Sequence, residues 1–298
     1  MIVQRSSWRG VLLVVAMFAI GGVMLWGLFL APRAVSPPVP RDAVWGVPDR
    51  PLRFVSYNIL HNQRGIERVC EEINARKPDF VLLQEVESRD LIELANRLGM
   101  ETFHHPRLYE RSANLDGPKA TWGNFILSRH PIFDAESIPN PGGGSFGVWA
   151  TAVVDGKKFV IANVHLSATW NANPIHIKKS GENRHRELTA LATAWRDRGA
   201  PPIVIAGDFN QIPMGNNWAV MSGTWRDQLG ALGKDDVTFG EGMLRTRIDY
   251  FLTTPDWQPV DGGVAPRGPS DHRLIWLEAR AREIPATQSA PTTTRGAR

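Results

Sequence analysis

Phe80-Val81-Leu82-Leu83 restricts this chain more than any other stretch. Four apolar residues in a row, between Asp79 and Gln84-Glu85, leave no polar face for water. As a strand they must be covered on both sides. The neighbouring segments supply that cover. Ile66, Val69, Cys70 and Ile73 recur at spacings of three and four, which predicts an amphipathic helix over 64–76, ended before Pro78. Leu91, Leu94, Ala95 and Leu98 predict a second helix, stopped by Gly99. An alternating strand over 52–57 precedes both. Strand patterns then follow over 124–128, 148–154 and 159–164, the last two joined by the hairpin signal Asp155-Gly156. Leu188, Leu191, Ala192 and Trp195 mark a third helix, and 203–206, 248–253 and 274–277 read as further strands. Buried strands, covering helices and hairpins together predict an α/β layered sandwich rather than an all-α or all-β domain.

The ends of the chain read differently. Residues 11–31 are 21 consecutive uncharged positions, apolar except for three glycines. As a helix they would span roughly the 30 Å of a bilayer core. Arg5 and Arg9 precede the run, which predicts a short cytoplasmic segment over 1–10, a single-pass transmembrane anchor and an exported (periplasmic or extracytoplasmic) remainder. Arg33 and Arg41 on the far side weigh against that orientation. A cleaved signal is the alternative, but its apolar region is ordinarily ~7–15 residues, and Ala31-Pro32-Arg33-Ala34 is a poor cleavage site. Residues 32–50 are proline-dense and read as a semi-rigid linker. Residues 281–298, rich in Thr, Ala, Ser and Pro, read as a disordered tail, leaving 51–280 as one domain.

Composition narrows the partners. The formal charge of +4 invites a nucleic-acid reading, yet residues 51–280 hold 26 Lys/Arg against 27 Asp/Glu, a net of −1. The excess charge lies in the anchor, linker and tail. The single cysteine, Cys70, excludes an internal disulfide and a cysteine zinc cluster.

The apolar strands share one habit: they stop at polar residues able to hold a metal or handle a phosphate. These stops are Tyr57-Asn58, Leu83-Gln84-Glu85, Asn163-Val164-His165-Leu166 and Gly207-Asp208-Phe209-Asn210. Arg247-Ile248-Asp249-Tyr250 and Ser270-Asp271-His272 stand at the starts of two late strands. Carboxylates at the tips of core strands are costly unless compensated, so six such places suggest one common rim. In this order the motifs resemble the endonuclease/exonuclease/phosphatase superfamily, over about residues 52–277. Gly123-Asn124-Phe125-Ile126-Leu127-Ser128 is similar to that family's central strand.

The resemblance implies a four-layer α/β/β/α sandwich and metal-dependent hydrolysis of phosphate esters, of nuclease or phosphatase type. It implies Glu85 as the main ligand of Mg²⁺ or Mn²⁺, with Asn58 and Asp271 assisting, in keeping with the preference of hard cations for oxygen. Asp208 would orient or deprotonate the attacking water, and Asn210 would hold phosphate oxygens. Asp249 would pair with His272, while His272 and His165 would divide the work of base, acid and phosphoryl stabiliser. Asn124 and Trp170 are expected to touch the substrate. Lys178-Lys179 and Arg184-His185-Arg186 read either as a solvated helix start or as a phosphate-gripping edge, and Gly142-Gly143-Gly144 as a turn. The substrate stays open between nucleic acid, phospholipid headgroup and soluble phosphate ester. A noncatalytic phosphate-binding module is the reading from another class.

Overall fold

The computed structural model describes residues 39–282, apart from 64, 88, 104–108, 111–121, 170, 241 and 243–244. The expected membrane span, residues 32–38 of the linker, Trp170 and residues 283–298 of the tail lie outside the described residues, while Val44–Trp45 of the expected linker pairs as a strand with Lys157–Lys158. Among the described residues no helix is long and apolar enough to cross a membrane.

Two sheets form the frame. One holds β2 (Leu52–Asn58), β3 (Phe80–Glu87), β4 (Glu101–Phe103), β5 (Tyr109–Glu110), β6 (Trp122–Ser128), β13 (Trp257–Val264) and β14 (Ile275–Ala281). The other holds β1 (Val44–Trp45), β7 (Ile132–Pro139), β8 (Ser145–Val154), β9 (Lys157–His165), β10 (Ile203–Asp208), β11 (Arg226–Asp227) and β12 (Asp249–Thr253). The helices are α1 (Ile66–Asn74), α2 (Leu91–Leu98), α3 (Pro174–Asp197), α4 (Gly215–Thr224) and α5 (Gln228–Ala231).

Three apolar clusters order the layers. Phe54, Phe80 and Leu82 of one sheet meet Phe159, Ile161 and Val204 of the other in the middle. Val55, Val81 and Leu83 face the opposite way, onto Val69 and Ile73 of α1 and Leu94 of α2. Val160, Ala162 and Ile205 pack on Leu188 and Leu191 of α3 and Met221 of α4. The order is therefore helices, sheet, sheet, helices. The uninterrupted run in β3 is explained: Phe80 and Leu82 go to one cluster, Val81 and Leu83 to another, and all four are fully buried. Cys70 packs among these groups, and burial pushes its thiol up to about 11.

Two differences from the sequence pattern matter. The helix marked by Leu188 and Leu191 begins at Pro174, with Asn173 capping it by accepting from the Ile175 N–H at 2.9 Å. Its amino half lacks a clean apolar stripe because it borders the site, so periodicity reported only the half that packs on the sheet. The strands also run on to the polar residues at their ends, because the ladder continues beyond the apolar stretch: β2 includes Asn58, β9 includes His165 and β10 includes Asp208.

Candidate active site

Register brings the polar strand ends together. β10 pairs parallel with β9 and antiparallel with β12, placing Asp208 between His165 on one side and Asp249 on the other. In the facing sheet Asn58 pairs with Gln84 at the parallel ends of β2 and β3. The seam is closed by a bolt of amides. Asn163 Nδ2 crosses from β9 to donate to Leu83 O at 2.7 Å and Phe125 O at 2.8 Å, while its Oδ1 accepts from Gln84 Nε2 at 2.6 Å. Asn58 Nδ2 donates within its own sheet to Glu85 Oε1 at 3.1 Å and across the same seam to Asp208 Oδ2 at 3.3 Å.

Backbone geometry aims the side chains. The β3–β6 ladder shifts register between Leu83 and Val86, and Glu85 sits in that bulge at φ 55°. A bulge re-aims a side chain, and here it turns the carboxylate onto the rim. Leu60, His61 and Asn210 share the left-handed conformation, so half of the eight non-glycine residues with positive φ among the described residues crowd this one place. Gly207, at φ 142°, is required by a close approach: a Cβ there would lie 1.9 Å from Val164 O.

Asp208 is the hub. It is 2% exposed, and its Oδ2 lies 3.5 Å from both His165 Nε2 and His272 Nε2. His272 presents Nδ1 to Asp249 Oδ2 at 3.0 Å, so the ring spans two carboxylates. Burial alone would pull His272 down, but the charges of Asp249 and Asp208 overcome it and push it up to about 10. Burial likewise raises Asp208, reinforced by Asp249 and opposed by the two histidines. Asn210 Nδ2 donates to Leu166 O at 3.0 Å, tying the loop after β10 to the loop after His165. Ser270 Oγ donates to Asn58 O at 2.7 Å and lies 3.3 Å from Asp271 Oδ1, which pins the Ser270-Asp271-His272 turn to the end of β2. Asn124 is 4% exposed and donates to Phe146 O at 3.4 Å, a tie between the two sheets.

Among the described residues, Asp208, Asp249 and His272 lie close enough to share one ion, with donor atoms within 4.8 Å. In that trio His272 already joins the two carboxylates, Nδ1 at 3.0 Å from Asp249 Oδ2 and Nε2 at 3.5 Å from Asp208 Oδ2. The better fit for a hard divalent cation is the gap between Glu85 and Asp208. Among the described residues neither carboxylate pairs with a lysine or arginine; their neighbours are Asn58, His61 and histidines of the site. The two carboxylates supply the oxygens and the unbalanced charge that suit a divalent ion, while Asn58 turns its Nδ2 to both and its Oδ1 accepts from the Leu60 N–H at 3.1 Å.

The sequence reading missed His61, Trp122 and Glu187, and the inward turn of Arg184. His61 Nε2 is 3.3 Å from Glu85 Oε2, and its ring packs edge-on against Trp122 with centroids 5.1 Å apart. Trp122 also leans on His165 at 5.8 Å. Arg184 and Glu187, both buried, hold the loop after His165: Arg184 Nη1 donates to Ser167 O at 2.8 Å, and Glu187 Oε2 accepts the Ser167 N–H at 2.9 Å. The run of basic residues after Lys178 was visible in the sequence, but not that Arg184 alone among them turns inward.

The model of the endonuclease/exonuclease/phosphatase family matches residues 55–272, from the first site strand to His272 itself. The chain belongs to this family. It is thereby one of the metal-dependent hydrolases of phosphate esters. Its fold is shared by the family protein of Beutenbergia cavernae, at 23% identity over 78% of this chain and 72% of that one, with a TM-score of 0.61. The human Nocturnin catalytic domain, solved with a bound sulfate, is similar at 20% identity over 83% of this chain and 100% of that one, TM-score 0.62. D. rerio TDP2 in complex with a single-strand DNA product matches at 19% identity over 78% of this chain and 99% of that one, TM-score 0.59. At these identities the likeness is one of fold. No curated protein matches the chain in sequence.

Proposed function

We propose that the chain is a membrane-tethered phosphodiesterase that uses Mg²⁺, with Mn²⁺ able to substitute. The observation that carries this reading is the convergence on Asp208 Oδ2 of Asn58 from one sheet and of His165 and His272 from the other side, within 3.3–3.5 Å. Glu85 with Asn58, and Asp271 from the neighbouring turn, would hold the ion. The ion, when bound, supplies charge neutralisation at the phosphate. Asp208 orients a water and accepts its proton. Asp249 fixes the His272 ring through Nδ1 and leaves Nε2 facing Asp208 and the reacting phosphate. His165 and Asn210 donate to phosphoryl oxygens as charge builds on them. Asn124 acts from behind, holding the sheets together, and Trp170 would contact the substrate.

Residues 11–31 would anchor the domain on the exported side of a membrane. A second reading, a lipid phosphoester as substrate, is favoured by one feature: Ile175, Ile177, Ile212 and Met214 are exposed on segments that directly follow site residues. A noncatalytic module would leave the whole constellation without a use.

The full-length chain, purified in detergent with Mg²⁺, is to be assayed against bis-p-nitrophenyl phosphate, plasmid DNA and phospholipid vesicles. Hydrolysis abolished by a chelator and restored by Mg²⁺ is expected, with Glu85→Ala inactive. No turnover with any divalent metal, or full activity in Glu85→Ala, would overturn the reading. An alkaline phosphatase fused at the carboxyl end is expected to be active; an active cytoplasmic reporter in its place would contradict export.

A further inference from the structure

Asp249 and His272 meet across the sandwich. Asp249 opens β12 in one sheet, whereas His272 stands in the turn that leads into β14 of the other. β12 ladders with β10 and β11, and β14 with β13 and β2. The 3.0 Å contact between the two side chains therefore depends on whatever else ties these strand starts together.

One residue bonds to both. Thr238, fully buried in the loop between α5 and β12, lies against the start of β12, where β11 no longer flanks it: β11 pairs only with Leu252 and Thr253. Thr238 Oγ1 accepts from the Ile248 and Asp249 N–H groups, each at 3.1 Å. Its carbonyl accepts from the Arg273 N–H at 2.7 Å, one residue past His272. Phe239 continues the link. It forms single antiparallel bridges to Thr246 and to His272, and its ring lies 4.7 Å from the imidazole, centroid to centroid. The Thr238 and Phe239 N–H groups both donate to Thr246 O, at 3.0 and 2.9 Å, so the segment is itself tied down.

A side chain of the same shape without the hydroxyl would leave two buried N–H groups lacking an acceptor. The start of β12 would then shift to satisfy them, and the Asp249 carboxylate would move with its backbone. A displacement of about 1 Å beside a reacting centre can cost about a hundredfold in rate.

We propose that Thr238 is a positioning residue for the hydrolysis: its hydroxyl and carbonyl together set the distance between Asp249 and His272. The inference rests on the proposed role of that pair and adds a residue that acts only through it.

Thr254 supplies a matched control. It is 3% exposed just past the other end of β12, and its Oγ1 accepts from the Ile203 N–H at 3.2 Å. The full-length chain in detergent is assayed with Mg²⁺ and bis-p-nitrophenyl phosphate. Thr238→Val is expected to lower kcat about ten- to a hundredfold with KM within about twofold. Thr238→Ser, which keeps the hydroxyl, should stay within about threefold of the parent. Thr254→Val should lower the melting temperature yet keep kcat within about twofold. Parent-like kcat in Thr238→Val, an equal loss of kcat in Thr254→Val, or a Thr238→Ser enzyme as slow as Thr238→Val would overturn the inference. If Thr238→Val does not fold, Thr238→Cys takes its place. A thiol sulfur is a weak acceptor, so kcat should fall at least about fivefold, and a parent-like kcat would overturn the inference.

Nuclear magnetic resonance of histidine-labelled protein keeps this apart from the activity itself. The proton on His272 Nδ1, which faces Asp249, should change its chemical shift in Thr238→Val and not in Thr254→Val. If the parent hydrolyses nothing, the proposed function falls and this resonance alone decides. A change confined to Thr238→Val supports the inference; a change in neither variant, or in both, refutes it.

Discussion

β3 carries an acid at each end, and the two are treated in opposite ways. Asp79, just before the strand, accepts from His130 Nε2 at 2.7 Å and from the Arg53 N–H at 2.9 Å, with Arg50 Nη1 3.7 Å away. Glu85, near the far end, has the neighbouring carboxylate of Asp208 across the Asn58 amide and no lysine or arginine among the described residues. One end of the sandwich balances its charge; the other leaves negative charge unbalanced, on a strained backbone. A fold gains stability from the first arrangement and loses some from the second, which is the pattern of an end built to bind something rather than to hold the chain together.

The comparison can be broken most sharply at Asp208. Asp208→Ala is expected to lower kcat by about three orders of magnitude, the scale of losing a proton acceptor at a reacting centre, while Asp79→Ala leaves kcat within about twofold. Similar losses from both would erase the contrast. Gly207→Ala comes next. The methyl group would meet Val164 O, so at least ~3 kcal/mol of stability should be lost, read by denaturant melts. A mild effect there would mean that β9 and β10 can separate without cost.

Asp79→Ala is a stability change of about 1–3 kcal/mol, because it leaves the Arg53 N–H and His130 without their acceptor. Its pH dependence has a definite sign. Burial would raise the Asp79 carboxyl, but hydrogen bonds from His130 and the Arg53 N–H, helped by nearby positive charge, hold it below the ordinary carboxylate value. Its contribution is therefore fully present above about pH 4, and is lost as pH falls through the lowered folded value. In Asp79→Asn the acid side of the stability curve should flatten. A curve superimposable on the parent would show that the pair contributes nothing.

The smallest effect is the most telling. Glu85→Gln, without metal, should leave the protein slightly more stable, by about 0.5–2 kcal/mol, because it removes a charge facing Asp208. With Mg²⁺ present the order should reverse, since only the parent gains from binding. A destabilised Glu85→Gln in both conditions would place Glu85 with Asp79, as a structural acid.

Much of this was legible in the residues. An apolar run with no polar face demanded cover on both sides, and Phe80, Val81, Leu82 and Leu83 divide between two cores as that requirement dictates. The polar stops at Asn58, Glu85, His165 and Asp208 marked the rim because charge at a strand tip is expensive without a reason. The amino half of α3 was not legible, since its residues border the site rather than a core and so carry no period. His61 and Trp122 were not legible either, because each matters through a neighbour distant in sequence.

What the sequence by itself determined is the central strands, the helices over the first sheet and the apolar half of α3, the family, and the residues at the strand ends, but not β7, β13 or α4. These follow from local pattern, which a chain carries with it before folding. What only the tertiary structure decided is which carboxylates are neutralised. Asp79 and Glu85 are two acids of ordinary type, six residues apart, and nothing in their neighbours in the chain tells them apart. The difference arises from what the facing sheet, the bulge and the loop after β10 bring near, because electrostatic energy depends on distance in space and on burial, and neither is a property of sequence order.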